Sequence, residues 1–314
     1  MVTFPQIVDE FIGFTLYLIN FVDLNLLSSI SYINLPIKAY TNLNNINTKK
    51  LVTQNLSFDV FNELYHKKYN SKIDPNWLGW FVGFSEGDGY LGKKGDSGLT
   101  FVITQKELKI LFEIKNTLKF GSVVEFEGFS RYIVQGKEEI LLLYHIFNGN
   151  LHLLHRIDQL SVWGDWLNKK YINNSLNLIT EPVKLSLDNS WFSGFIDAEG
   201  CFNVYIAKNA NSVTLRFIVD QKDSLLLFQS LKMLLGSGSI YSRKNNNVRY
   251  TASKLMSLNI IINYLNKFAL KSKKYFAFEK WSVIYNKKVN DEHKTTEGFL
   301  EIKRLSVLIN KDND

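Results

Sequence analysis

The sequence predicts an α+β protein built as a pseudo-twofold repeat of two αββαββα units, each with a four-stranded antiparallel sheet. Two observations predict this fold. A nonamer occurs twice, as FVGFSEGDG in residues 81–89 and as FSGFIDAEG in residues 192–200, at a constant offset of 111 residues (194 − 83). Each copy is followed by the same order of alternating and helical segments. An internal repeat of this kind determines the architecture before any local pattern does.

The two nonamers are predicted to lie on helices that pack against each other. Gly83 and Gly87 are four residues apart, and so are Gly194 and Ala198. This spacing gives each helix one face without bulky side chains. Two helices with such faces approach more closely than the usual separation of about 8–10 Å between axes.

A carboxylate ends each of these helices. Asp88 and Glu199 fall in the last turn, just before Gly89 and Gly200, which are predicted to end the helices in the left-handed conformation. The helix dipole disfavours a negative charge there by roughly 0.3–1 kcal/mol. Two carboxylates brought together by close packing repel each other, so the repeat predicts a hard cation such as Mg²⁺ between them. The alternative is an ordinary pair of core helices whose acids face solvent.

The elements of the first half follow in order. Asp74 is a good N-cap residue and Pro75 suits the first helical position, so the first helix begins there. After the nonamer the apolar period changes from 3.6 toward 2, which predicts a hairpin over residues 90–105 with its turn at residues 94–98. Next come a helix over residues 108–118, a hairpin of residues 121–126 and 132–135 around Gly128, and helices over residues 140–147 and 151–168.

The second half repeats this order. Its predicted elements are strands 202–206 and 213–219 around a turn at 208–211, a helix over 225–235, a hairpin over 238–252 with its turn at 245–247, and a helix over 255–268. The predicted domains are a first half over residues 75–179, a linker over 180–187, and a second half over 188–314 with a helical tail. Residues 1–74 are predicted to be an extension of low order, with a packed helical extension as the alternative.

The charge of the chain indicates an anionic partner. Its net charge is +7 and its pI about 9.1. Residues 1–74 hold six Lys and six acids, so all of the excess lies in the remainder, with 31 Lys and Arg against 24 acids. Phosphate contacts supply most non-specific nucleic-acid affinity, and this balance suits such a partner. A merely basic soluble protein is the alternative. The single cysteine, Cys201, excludes an intramolecular disulfide and a cysteine-based zinc site.

The paired nonamers resemble the two motifs of the single-chain LAGLIDADG homing endonuclease family. The family's nine motif letters map onto residues 81–89 and 192–200, and its eighth, acidic position falls on Asp88 and Glu199. Both copies have Phe for the leading Leu, and Ser85 replaces an aliphatic residue. The resemblance covers the chain from about Pro75 onward. It implies that the two sheets form a DNA-binding saddle. It also implies a monomer that needs Mg²⁺ to cut both strands of a long, asymmetric double-stranded DNA target.

The resemblance also implies roles for further residues. FxxxQK occurs twice at an offset of 116 (221 − 105), and its glutamines, Gln105 and Gln221, match residues that orient water. Lys271 is the best match to the family's active-site lysine and Lys273 the second, while Arg156 is a weak substitute in the first half. The carbonyls of Gly87 and Ala198 are expected to help the two acids bind Mg²⁺.

The strand faces opposite the apolar stripes are predicted to contact DNA. A two-stranded ribbon fits the major groove, where base edges are distinguishable. The candidates are Thr100, Val102 and Thr104 in the first half and Asn203, Tyr205, Thr214 and Arg216 in the second, with Lys93, Arg243, Arg249 and Lys273 as further candidates. For each of them, an ordinary solvated strand residue is the alternative.

Two other functions compete with DNA cleavage. Some proteins of the resembled family are maturases that assist splicing of their own intron RNA, and a structural pseudo-dimer is a second rival. Members of the family are often encoded in organellar introns, which implies a mitochondrial protein and an exon-derived N-terminal segment. The uncharged run at residues 11–22 is shorter than the roughly 20 residues that span a bilayer, so no membrane partner is expected. His152, His155 and Asp158 share a helix face but lack a fourth metal ligand.

Overall fold

The computed structural model describes residues 55–95, 98–172, 176–207 and 212–309, which belong to one compact unit. It confirms the predicted α+β class with two four-stranded antiparallel sheets. The first half comprises α1 (Asp59–Tyr69), α2 (Pro75–Asp88), β1 (Gly89–Lys94), β2 (Gly98–Gln105), α3 (Leu108–Leu118), β3 (Ser122–Phe126), β4 (Phe129–Val134), α4 (Lys137–Phe147) and α5 (Leu154–Leu167).

The second half has the same order after its own motif helix. It comprises α6 (Trp191–Glu199), β5 (Gly200–Ile206), β6 (Val213–Lys222), α7 (Leu225–Leu234), β7 (Ser239–Ser242), β8 (Asn247–Ala252), α8 (Leu255–Lys267), α9 (Lys274–Val289) and α10 (Thr296–Leu308). The strand orders, β1-β2-β4-β3 and β5-β6-β8-β7, are equivalent, which agrees with the predicted pseudo-twofold repeat.

The core lies between the helices and one face of each sheet. In β6, buried residues alternate with half-buried ones, as expected for a strand covered on one side. Phe101 and Phe217 occupy equivalent central positions and are fully buried. The motif helix α2 is buried almost all round, which is typical of a helix at the centre of a protein. Its start is as predicted, since the Asp74 side chain accepts a hydrogen bond from Asn76 N at 3.1 Å.

The predicted N-terminal extension contributes a packed helix, which corrects the expectation of low order for its last part. Phe61 and Tyr65 of α1 are fully buried. Tyr65 donates a hydrogen bond to the carbonyl of Thr117 at 3.2 Å, and Lys68 pairs with Glu139 at 2.8 Å. Residues 55–74 therefore pack onto the first half. Residues 1–54, which include the uncharged run at residues 11–22, lie outside the described residues.

The connections differ from the predictions in detail. The predicted linker packs onto the first half, because Val183 and Leu185 are buried and Val183 N donates to Leu151 O at 2.9 Å. The turn at 208–211, part of the turn at 94–98 and the chain end from residue 310 lie outside the described residues. Within the described residues, no helix is both long and apolar enough to cross a membrane.

Candidate active site

The motif helices α2 and α6 meet backbone to backbone at the seam between the halves. A Cβ atom added to Gly83 would overlap the carbonyl oxygen of Trp191, and one added to Gly194 would overlap that of Trp80. A Cβ on Gly87 would overlap the methyl group of Ala198. The small residues therefore face each other across the seam, as their spacing predicted.

The glycines that close the nonamers have a different purpose from the predicted one. Gly89 has φ −80° and Gly200 has φ −76°, both extended, so the prediction of left-handed helix ends is wrong. The chain passes directly from each helix into a strand without a reversing turn. A Cβ on Gly89 would overlap the carbonyl oxygen of Ser85, so glycine is required there for close approach.

Asp88 and Glu199 lie at the adjoining ends of the two helices, and both are half-buried. The Glu199 carboxylate reaches the first helix, since a Cβ on Gly87 would lie 3.5 Å from its Oε1. Burial raises the pKa of Asp88. Burial, and the charge of Asp88, raise the pKa of Glu199 to about 7. The negative charge of each carboxylate is thus unfavourable at this place, and a bound cation would stabilise it.

The two predicted glutamines contact these acids. Gln105 Nε2 donates to Asp88 Oδ2 at 2.5 Å, and Gln221 Nε2 donates to Glu199 Oε1 at 3.3 Å. Both glutamines lie at the ends of the second strand of their half. The equivalent strands therefore bring an amide to each carboxylate, and the water-orienting role stays a prediction.

The lysine at the site is Lys274, which corrects the expectation for Lys271. Lys274 Nζ donates to Ala198 O at 2.7 Å and to Ile196 O at 3.3 Å. Lys271 does not contact these carbonyls. It pairs with Glu113 at 3.0 Å, and its ammonium lies 5.6 Å from the centroid of the Trp80 ring. Because α9 begins at Lys274, that side chain, rather than one in the preceding loop, reaches the end of α6. Lys273 is exposed, and its backbone amide donates to Glu107 Oε2 at 2.9 Å.

Arg156 occupies the corresponding place in the first half. Its Nε donates to Glu86 O at 2.9 Å, and its Nη2 donates to Gly87 O at 3.0 Å. Burial lowers the pKa of both Arg156 and Lys274. The carbonyls of Gly87 and Ala198, expected as metal ligands, therefore already accept hydrogen bonds from cationic groups. Each carbonyl oxygen has a second lone pair, so the role of these two carbonyls as metal ligands stays a prediction.

Two buried acids that the sequence analysis missed bind the backbone segments that lead to Arg156 and Lys274. Glu86 and Asp197 occupy the sixth position of the nonamers and are 1% and 4% exposed. Glu86 Oε1 accepts hydrogen bonds from the backbone amides of His152 and Leu153 at 2.9 and 2.8 Å. Asp197 accepts from the amide of Lys271 at 2.8 Å. The sequence does contain a signal for these acids, since each nonamer has another acid two residues before Asp88 or Glu199.

The residues His152, His155 and Asp158 are not arranged as a metal site in the structure. His152 is buried, its ring lies 4.0 Å from that of Trp191 between centroids, and its Nδ1 is 3.5 Å from Glu86 Oε2. Within the described residues, no group of three or more His, Cys, Asp or Glu side chains is arranged to hold a metal ion.

The second sheet brings its predicted contact residues onto one open face. Asn203 pairs with Arg216 and Tyr205 with Thr214, and side chains of directly paired residues share a face. The Arg216 guanidinium lies 5.0 Å from the Tyr205 ring. Arg249 lies on the same face, where it is bound to its strand partner, Asp220, at 2.8 Å, and Arg243 is 3.7 Å from that carboxylate.

The first sheet corrects two of its candidates. Val102 and Thr104 lie on the open face, but Thr100, on the same side, is only 7% exposed beside Gln135. Lys93 pairs with buried Leu99, so its side chain starts from the covered face and not from the open one. Sequence reasoning missed two exposed residues of the open face, Tyr90 and Arg131. A cavity of about 550 Å³ next to this face is lined by residues that include Asp88, Gln105, Cys201, Lys273 and Lys274.

Known proteins share this sequence pattern. A family model described as "LAGLIDADG endonuclease" matches residues 192–285. The chain is 36% identical over 253 residues to "Probable intron-encoded endonuclease 4" of Neurospora crassa, a match that covers 77% of this chain and 46% of the relative. It is 28% identical over 224 residues to "Intron-encoded RNA maturase bI4" of Saccharomyces cerevisiae, which covers 66% of this chain and 32% of that protein. The chain thus matches less than half the length of either relative.

Solved structures share the fold. The LAGLIDADG homing endonuclease I-GzeII, in complex with its DNA target, aligns with a TM-score of 0.61 at 22% identity, over 77% of this chain and 100% of that one. The LAGLIDADG meganuclease I-AabMI, bound to uncleaved DNA, aligns with a TM-score of 0.60 at 25% identity, over 74% and 98%. Both alignments extend over nearly the whole of the solved chains, so they include both halves of this protein.

Proposed function

Because this chain belongs to the LAGLIDADG endonuclease family, we propose that it is a site-specific homing endonuclease. In this proposal it cuts both strands of double-stranded DNA at a long, asymmetric target, in a Mg²⁺-dependent reaction. The observation that carries the proposal is the pair of half-buried carboxylates, Asp88 and Glu199, at the adjoining ends of the motif helices.

The donor set fits a divalent cation. Asp88 and Glu199 would hold Mg²⁺ through carboxylate oxygens, the ligands that this ion prefers. Their raised pKa values show that the folded chain alone does not balance their charges. When bound, the ion supplies positive charge for phosphate oxygens and lowers the pKa of a bound water.

The surrounding side chains position the acids and the substrate. Gln105 and Gln221 each use one amide hydrogen to fix a carboxylate, so the reactive oxygens keep one orientation. Lys274 and Arg156 hold the last carbonyls of α6 and α2. Their fixed positive charges favour an approaching phosphate and the negative charge that develops on it during cleavage.

The open sheet faces would bind the DNA target. Asn203, Thr214 and Arg216 offer donors and acceptors on one face, and Val102 with Thr104 offer an apolar and a hydroxyl contact on the other. Such groups read base edges in the major groove. Since the two faces differ in chemistry, the target they fit is asymmetric. The net charge of +7 adds sequence-independent attraction to phosphates.

We further propose that the protein is a mitochondrial, intron-encoded monomer. Relatives include proteins named for intron 2 of cox1 in Schizosaccharomyces pombe and for intron 1 of ND4 in Podospora anserina. One chain supplies both motif helices and both acids, so no second copy is needed to complete the site.

An RNA maturase is the second candidate, favoured by the similarity to the yeast maturase. In that case the partner is the intron RNA of the chain's own gene. DNA cleavage and RNA splicing are separable experimentally, because only cleavage requires the two acids at the helix ends.

The experiment is cleavage of a plasmid that carries the joined exons of the host gene, with purified protein and Mg²⁺. We expect linear product with the unchanged protein and none with Asp88→Asn, Glu199→Gln or excess EDTA. Cleavage that survives both substitutions or the chelator contradicts the proposal. Splicing of an intron transcript by a protein that never cuts the plasmid favours the maturase.

A further inference from the structure

Two hydrogen bonds cross the seam beneath the active-site acids. Trp80 Nε1, from α2 of the first half, donates to Asp197 Oδ2 at 2.8 Å. Trp191 Nε1, from α6 of the second half, donates to Glu86 Oε2 at 2.7 Å. All four side chains are at most 4% exposed. Each tryptophan is thus bound to the buried acid of the opposite half.

Each buried acid also holds the segment that leads to a cation of its own half. Asp197 accepts hydrogen bonds from the backbone amides of Lys271 and Ser272 at 2.8 and 3.2 Å, just before α9 begins at Lys274. Glu86 holds the residues just before α5, the helix that carries Arg156. Each acid therefore binds the residues that come just before one of these two helices.

Among the residues that the structure describes, the indole is the one hydrogen-bond donor that each acid receives from across the seam. A buried carboxylate needs its lone pairs satisfied, and loss of one donor leaves it poorly solvated. Such an acid shifts toward its remaining donors or toward water, and the amides it holds shift with it. The cation at the start of the next helix then loses its place on the motif carbonyls.

We propose that Trp80 and Trp191 are positioning residues that act across the seam. Trp80, in the first half, acts through Asp197 to place Lys274 at the second half's site, and Trp191 acts through Glu86 to place Arg156 at the first half's site. The inference rests on the proposed nuclease function and takes each half to cut one strand of the target. Each strand cut therefore depends on the tryptophan of the other half.

Strand-specific cleavage tests the proposal. With each strand of the target labelled separately, Asp88→Asn and Glu199→Gln identify the strand that each half cuts. Trp80→Phe keeps an aromatic ring and removes the donor, and we expect it to slow the second half's cut about tenfold, as for loss of one hydrogen bond to a charged group. Trp191→Phe is expected to slow the first half's cut by a similar factor.

Matched controls are available in both halves. Trp163 Nε1 donates to Gly92 O at 3.1 Å, and Trp281 Nε1 donates to Asn203 O at 3.2 Å, each within its own half. Trp163→Phe and Trp281→Phe remove the same kind of donor without touching the seam. We expect neither to change the ratio of the two strand cuts. A general loss of stability would slow both cuts together in any of the four variants.

Hydrogen exchange tests the connection without any cleavage. Trp80→Phe should speed exchange at the amides of Lys271 and Ser272 and leave those of His152 and Leu153 unchanged, and Trp191→Phe should do the reverse. Equal effects on both segments, or effects within the mutated half, overturn the proposal even if the unchanged protein cuts DNA. If each variant speeds amide exchange only in the opposite half but the unchanged protein never cuts DNA, the link between each tryptophan and the opposite half is supported and the nuclease function is refuted.

Discussion

The two halves have one topology but different chemistry at their sites. The first half has a short acid, Asp88, and a guanidinium, Arg156, that binds two backbone carbonyls and Gln159 Oε1. The second has a longer acid, Glu199, and the single ammonium of Lys274. A planar guanidinium holds several acceptors in fixed directions, whereas an ammonium on a flexible stem does not. The two halves therefore share a backbone topology but differ in the side chains that each would use to cut its DNA strand.

The acids provide the largest test of whether the halves are independent. We expect Asp88→Asn and Glu199→Gln each to reduce double-strand cleavage on the order of a thousandfold, because each removes the carboxylate charge of one half and so blocks the cut of one strand. Single-turnover rates on a labelled target measure the loss. If either variant cuts both strands at the unchanged rate, that half does not use its acid.

The seam glycines test the symmetric part of the comparison. Gly83→Ala and Gly194→Ala each force a methyl group into a backbone carbonyl of the opposite helix, so we expect each to lower the free energy of unfolding by at least about 2 kcal/mol. Urea unfolding measures both. Gly98→Ala is the control, because no atom of the described part of the chain lies within 4 Å of an added Cβ there. A large difference between the two seam variants would show that the halves do not contribute equally.

The cations test the asymmetric part. Lys274→Met and Arg156→Met should each lower the rate of their own strand cut about a hundredfold, as for loss of one preorganised charge. Lys271→Met, three residues away, removes a partly exposed ion pair with Glu113 and the contact of the ammonium with the Trp80 ring, so its effect should stay within about threefold. If Lys271→Met is the more damaging change, the placement of Lys274 at the site is not the functional one.

Proton linkage gives the smallest effect. The pKa of Glu199 rises from 4.5 to about 7 on folding, so between these values the folded state binds more protons than the unfolded state. The free energy of unfolding should therefore fall as pH rises from 5 to 8, by roughly 1–3 kcal/mol at about 1.4 kcal/mol per pKa unit. Urea unfolding without divalent ions, compared with Glu199→Gln, measures it.

A control variant sharpens the pH measurement. Glu297→Gln changes an exposed acid on α10 and should leave the pH dependence as it is. Adding Mg²⁺ should reduce the fall in stability, because a bound cation offsets the repulsion between the carboxylates. If the free energy of unfolding of Glu199→Gln falls with pH as steeply as that of the unchanged protein, another group causes the pH dependence.

The sequence predicted the features that repeat, because repetition makes local patterns visible. The nonamers and the alternating strands predicted the sheets, and the two FxxxQK segments identified Gln105 and Gln221 as candidate site residues. The candidates were Lys271 and Lys273, and Lys274 was missed because the segment before α9 is held by hydrogen bonds to Asp197, 74 residues away along the chain from Lys271. No local pattern shows such a contact.

Other misses have the same origin in long-range geometry. Lys93 lies at the end of β1, where its face follows from pairing with Leu99 and not from the short strand alone. Thr100 alternates as an open-face residue should, but Gln135 of another segment lies beside it. The helix α1 was not assigned to the body because its burial depends on partners such as Thr117 and Glu139.

The contact of Gly83 and Gly194 with backbone carbonyls also limits which amino-acid substitutions the protein can accept. Substitutions on the strand faces meet solvent or a partner, so those surfaces can diverge one residue at a time. A substitution at either glycine meets main-chain atoms that no rotamer can move aside. A half taken from another protein would therefore pack against one of these halves only if its motif helix also had small residues at the seam. This requirement does not depend on the DNA sequence that its strands recognise.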